Sequence, residues 1–150
     1  MSIKYVLAPN GIMGVVTKSI GAYVQMWPSG ALGASTQPTT GWTNGDIQLS
    51  TGANQLILWP IFTSGAGTTE CDLKVEFAPD PNGQWFQEPV AINIGAGKLS
   101  YIGNTRIVPS GDPVTMLVPF LADYVRISAK VLGSAAGSLL SINATIASVM

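Results

Sequence analysis

Four carboxylates, Asp72, Glu76, Asp80 and Glu88, fall inside one short segment, residues 71–89, CDLKVEFAPDPNGQWFQEP. Paired carboxylates can run glycoside hydrolysis when one serves as acid and the other as base or nucleophile. The spacing points elsewhere. Cys71, Leu73, Val75 and Phe77 alternate with Asp72, Lys74 and Glu76, a period of two that puts the first set on the buried face of a strand and the second on the wet face. With Lys74 between the two acids, this is a solvated face whose charges pair with a neighbouring strand, and Arg126 and Lys130 are the natural partners. The acids do not make a calcium loop either, because Asp80-Pro81-Asn82-Gly83 lacks alternating oxygen ligands.

Other chemistry drops out on residue type. The chain contains no histidine, which removes Ser-His-Asp and Cys-His catalysis and most zinc and non-haem iron sites. Cys71 is the one cysteine; an intrachain disulfide and a cysteine-rich zinc site are excluded, and its apolar-face position reads as a buried core thiol. Gly95-Ala96-Gly97-Lys98 lacks the spacing and the following Ser/Thr of a phosphate loop and reads as a turn. Asn143-Ala144-Thr145 is a formal glycosylation sequon on the polar face of a strand and reads as incidental. No enzyme, no cofactor and no metal site is expected. The aromatics offer a different chemistry, stacking on sugar rings. Trp59 and Trp85 lie in strand patterns and are expected in the core, which leaves Trp42, alone in a loop, as the contact residue for a sugar or a sister subunit.

The elements that carry these residues are strands. Residues 71–77 lead into the turn at Asp80-Pro81-Asn82-Gly83, where Pro fixes φ and Asn-Gly tolerates positive φ. Trp85 and Phe86 open a return strand through Val90, Ile92 and Ile94, so the segment is a β-hairpin. Further strands are expected at residues 3–9, 12–17, 22–27, around Ile47 and Leu49, and at 55–62. Others follow at 99–108 with an irregularity at Gly103-Asn104, then at 114–120, 124–131 and 140–146. In 124–131, Val125, Ile127, Ala129 and Val131 face one way and Tyr124, Arg126, Ser128 and Lys130 the other. No window holds a 3.6-residue period. About ten short strands with frequent turns predict an all-β fold, a single antiparallel β-sandwich of jelly-roll or Greek-key type with very little helix. All 150 residues are expected to form this one domain.

Charged residues make up 10% of the chain and hydrophobic ones 47%, against about 25% charged in an ordinary globular domain. The longest apolar run, residues 56–62, contains Pro60 and falls well short of the roughly 20 residues of a membrane helix, so no membrane span is expected. The start, MSIKYVLAPNGIMG, reads as a poor secretory signal and implies synthesis in a cytoplasm. A net charge of −1 without a basic stripe argues against direct nucleic-acid binding. Apolar surface on so thinly charged a chain is expected to be covered by another chain, in a homo-oligomer.

Two stretches stand out as candidate interface. Residues 28–46 carry no charge before Asp46; a loop longer than about 12–15 residues is usually functional or disordered. This one reads either as a surface loop pinned by Trp42 or as an arm ordered against a neighbouring subunit. Residues 55–62, QLILWPIF, are apolar on both faces, which fits a central or an interface strand, and Pro60 favours an edge or bulge. Trp42, Leu56, Leu58, Trp59 and Phe62 are the candidate interface residues.

The run from Val75-Glu76-Phe77 through Asp80-Pro81-Asn82-Gly83-Gln84-Trp85, together with Tyr124-Val125-Arg126-Ile127 and the final alternating strand, resembles the capsid decoration (cement) proteins of tailed bacteriophages over roughly residues 70–149. The resemblance implies a homotrimeric β-sandwich of the virion surface that binds the major capsid protein and clamps the capsid lattice. It transfers no functional residue. Similar hairpins occur in head-fibre, neck and tail components and in carbohydrate-binding or adhesion modules, which are the alternative readings.

Overall fold

The computed structural model describes residues 2–7, 13–67 and 70–149, with side chains for 22–67 and 70–148. The expected turn at Asn10-Gly11 and part of the connection at 63–69 lie outside the described residues. The strands in chain order are β1 (Ser2–Leu7), β2 (Met13–Trp27), β3 (Thr43–Asn44), β4 (Gln48–Leu49), β5 (Gln55–Thr63), β6 (Glu70–Ala78) and β7 (Phe86–Gln87). They continue with β8 (Pro89–Asn93), β9 (Leu99–Gly103), β10 (Thr105–Pro109), β11 (Met116–Pro119), β12 (Tyr124–Val131) and β13 (Leu139–Val149). No helix occurs among the described residues, and the fold is an all-β sandwich.

One sheet runs β1-β2-β13-β5-β11; the other runs β10-β6-β12-β3, with β4 also on β12 and β7 on β6. Every pairing is antiparallel. The alternation read in β6 and β12 sets their register: Val75 lies opposite Ile127 and Leu73 opposite Ala129, and all four are fully buried. Leu56, Leu58, Leu140 and Ile142 close the same core from the other sheet. Phe77 and Phe120 meet edge to face, with ring centres 6.3 Å apart, a geometry worth roughly 0.5–1.5 kcal/mol beyond area burial.

Strand β5 corrects part of the expected interface. Its residues divide by parity: Leu56 and Leu58 are 0% and Phe62 2% exposed, while Trp59 is 38% and Ile61 48% exposed. Leu56, Leu58 and Phe62 therefore belong to the chain's own core, because strand periodicity turns them toward the facing sheet. Of the expected interface residues in β5, only Trp59 faces out. Pro60 needs no bulge: the last rung of β11 on β5 is Met116 opposite Leu58, so at Pro60 the strand is paired on the β13 side alone, and a missing N–H there breaks no ladder on the open side.

The tryptophans are also redistributed. Trp27 is the core one, 3% exposed, with its indole N–H donating to the Thr43 carbonyl at 3.1 Å. Trp59 and Trp85, expected inside, lie on outer faces.

The charge-poor loop after β2 is a strap tied to its own chain. Thr36 exchanges backbone hydrogen bonds with Leu140 of one sheet at 3.1 and 2.9 Å, and the Val131 N–H of the other sheet donates to Thr39 at 2.9 Å. Gln25 anchors its near end, accepting from the Gly33 N–H at 2.8 Å and donating to the Ala34 carbonyl at 3.0 Å. At its far end the Gly45 N–H donates to Ile127 at 2.8 Å. The Gly45 Cα lies so close to the Met26 carbonyl that no Cβ fits there. The strap thus crosses one side of the sandwich from sheet to sheet.

The central hairpin forms, but its return strand is short. Only Phe86 and Gln87 pair with β6. The chain then leaves the sheet at Glu88 and makes a separate two-stranded sheet, β8 with β9, before rejoining β6 through β10. The break expected at Gly103-Asn104 is where β9 gives way to β10.

Candidate interaction surfaces

Three surfaces of the sandwich could act on something outside it. The first is the polar outer face of β6 and β12. Register places Glu76 opposite Arg126 and Asp72 opposite Lys130, the partners expected from alternation. Arg126 Nε donates to Glu76 at 2.9 Å, Lys74 lies 3.0 Å from the same carboxylate, and Lys130 is 4.0 Å from Asp72. Ser128 Oγ is 3.0 Å from Glu76 and 2.6 Å from Asn44 Oδ1. A hydroxyl has one proton; turning the Asn44 amide over lets Nδ2 donate to Ser128 while Ser128 donates to Glu76. Burial pushes the Glu76 carboxyl up, but hydrogen bonds and charge from Arg126 and Lys74 together outweigh it and hold it below its ordinary value. Glu88 is also held low, by its 2.8 Å bond to Arg106.

Tryptophans roof this ladder. Lys74 and Lys130 lie 5.1 and 4.7 Å from the centre of the Trp42 ring, and Arg126 lies 4.3 Å from that of Trp85. Trp42, expected to meet a sugar or another subunit, is 37% exposed and also lies against two lysines of its own chain. Asp72, Glu76 and Glu88 are ion-paired, and no group of three or more potential metal ligands occurs among the described residues. Cys71 is fully buried; desolvation pushes its thiol up to about 12, with nearby Asp72 adding to the rise, so it is protonated and unreactive near neutrality.

The second surface is the outer face of the other sheet. Tyr23 of β2, Trp59 and Ile61 of β5, Leu117 of β11 and Leu139 of β13 are all exposed there, beside Gln55, Ser141, Asn143 and Thr145. No described side chain among these strands' outward positions is charged. Two hollows flank Ile61. One, of about 400 Å³, runs past Tyr23, Trp59 and Thr115; the other, of about 270 Å³, lies under the strap between Gly33 and Asn143. The Trp59 indole donates to Thr145 Oγ1 at 3.0 Å. Asn143 is only 5% exposed, which withholds the formal sequon from a glycosylating enzyme, and its Oδ1 has no hydrogen-bond partner.

The third surface is the β8–β9 hairpin, which sequence reasoning merged into neighbouring strands. Val90, Ile92, Ile94, Leu99, Tyr101 and Ile102 are each between 37% and 66% exposed. Val90 faces Ile102 and Ala91 faces Tyr101 across the pair, so both faces of the hairpin are apolar. Its tip, Gly95-Ala96-Gly97, has φ of +97°, +50° and +69°, and Lys98 N–H closes it on the Gly95 carbonyl at 3.0 Å. The base is held by Asn104 N–H donating to the Glu88 carbonyl at 2.9 Å and by the Arg106–Glu88 ion pair. A cavity of about 530 Å³ beside the base is lined by Phe77, Pro79, Phe86, Pro89 and Leu121. The available signal was double alternation without a polar face, which marks a strand covered from both sides; here the chain supplies cover on neither.

Compared with known protein families, curated proteins and solved structures, the chain matches none.

Proposed function

We propose that this protein is a non-catalytic structural subunit whose work is to bury apolar strands against other chains. The observation that carries the reading is the projecting β8–β9 arm, apolar on both faces and uncovered by its own chain. An isolated two-stranded hairpin is marginal in water, and monomers rarely leave large contiguous apolar patches exposed. A chain that spends some fifteen residues on such an arm needs a neighbour to cover it. The resemblance to phage decoration proteins adds the setting: a homotrimer on the outer surface of a virion, seated against the major capsid protein and stiffening its lattice. A head-fibre, neck or tail component would use the same burial, and imaging the protein on purified virions by cryo-EM separates these positions.

Sedimentation of the full chain at micromolar concentration tests the reading. A discrete oligomer, three copies on the decoration reading, is expected. A monodisperse monomer with no affinity for a capsid lattice would overturn it.

A further inference from the structure

We propose that the β8–β9 arm of one copy lies across the outer face of the β2-β13-β5-β11 sheet of a second copy, an inference that rests on the self-association proposed above. Each presents exposed apolar side chains, Tyr23, Trp59, Ile61 and Leu117 on the face and Val90, Ile92, Leu99 and Tyr101 on the arm, and no described outward position of the face is charged. Their dimensions agree. Five rungs of hairpin extend about 17 Å at about 3.3 Å per residue, and the face from β11 to β2 spans three strand spacings, about 14 Å. The charges agree as well. The arm's one charge is Lys98, at the tip, and Asp112 directly precedes Pro113, Val114 and Thr115, which wall the larger hollow of the face. Both are exposed, and neither has an ion-pair partner among the described residues. Tyr101 and Leu99, large apolar side chains on one hairpin face at 66% and 59% exposure, would fill the space beside Ile61 and Trp59. Arm and face are different patches, so the contact is heterologous and closes into a ring when the rotation allows.

Cross-linking between singly substituted full-length chains tests this. Leu99→Cys on the arm and Ile61→Cys on the face are surface changes, and native Cys71, buried and protonated, stays silent toward maleimides. The two variants, carrying different tags, are co-expressed and treated with a short bis-maleimide. A product joining one arm variant to one face variant is expected. A product from either variant alone would mean that like patches meet and would overturn the proposal. So would the absence of product in a chain that sediments as an oligomer, an outcome that leaves the proposed function standing. A chain that is monomeric throughout overturns both. As a second readout, Lys98→Glu should weaken association about two- to five-fold, the range of an exposed ion pair, and Asp112→Lys in the same chain should restore it; no change in the single variant contradicts the tip contact.

Discussion

Glu76 is 6% exposed and carries a full charge between Arg126 and Lys74. Removing Arg126 leaves that charge half compensated, and breaking a buried pair typically costs about 3–5 kcal/mol. Because Arg126 is partly solvated and Lys74 remains, Arg126→Met is expected to cost about 2–3 kcal/mol in urea denaturation. The pH dependence has a definite sign. Glu76 and Glu88 are held below the ordinary carboxylate value of 4.5, so their stabilisation is complete above that pH and is lost as pH falls through their lower folded values. Glu76→Gln should flatten the acid limb of the stability profile; an unchanged limb would contradict the pairing. Within β5, Leu58→Ala should cost about 2–5 kcal/mol, as a core truncation does. Trp59→Ala one residue along should barely move the monomer's stability but weaken assembly. That difference is what alternation alone could not supply. From Leu56 to Phe62 the strand is apolar at every position, so no polar residue within that run marks the outward set, and only the register on β13 tells the two apart.

At the scale of elements, β6 and β12 were legible because charge and apolar residues alternate strictly, and their cross-strand ion pairs followed from the same period. The arm was not legible. Residues 86–94 read as one strand, and the departure at Glu88 is set by tertiary contacts: the bonds from Asn104 and Arg106 that gather the arm's two ends. The strap was visible as a long uncharged loop, but its purpose was hidden, since its ties are mostly backbone bonds to distant strands. Trp42 holds it through two cations, each worth about 0.5–1 kcal/mol at a partly exposed site. Trp42→Ala is therefore expected to cost about 1–2 kcal/mol in chemical denaturation, with most of that loss absent in a Lys74→Met, Lys130→Met background. Equal losses in both backgrounds would remove the cations from the account. Gly45→Ala should cost about 1–3 kcal/mol, as overpacking does, because its Cβ would run into the Met26 carbonyl.

For the whole molecule, the sandwich and the arm divide the labour. The core lies between the two sheets and uses no residue of β8 or β9, so the arm adds little to the fold; on the proposed function its apolar surface is covered by another chain. Excising residues 90–102 and joining the ends with two glycines, which the closeness of Pro89 and Gly103 permits, should leave a cooperatively folded sandwich. The most direct test is sedimentation equilibrium of the intact and arm-less chains side by side at micromolar concentration. The intact chain is expected as a discrete oligomer and the arm-less chain as a monomer with near-unchanged thermal stability. An intact chain that sediments as a monomer, or an arm-less chain that assembles just as well, would contradict the claim that this arm exists to be covered by another polypeptide.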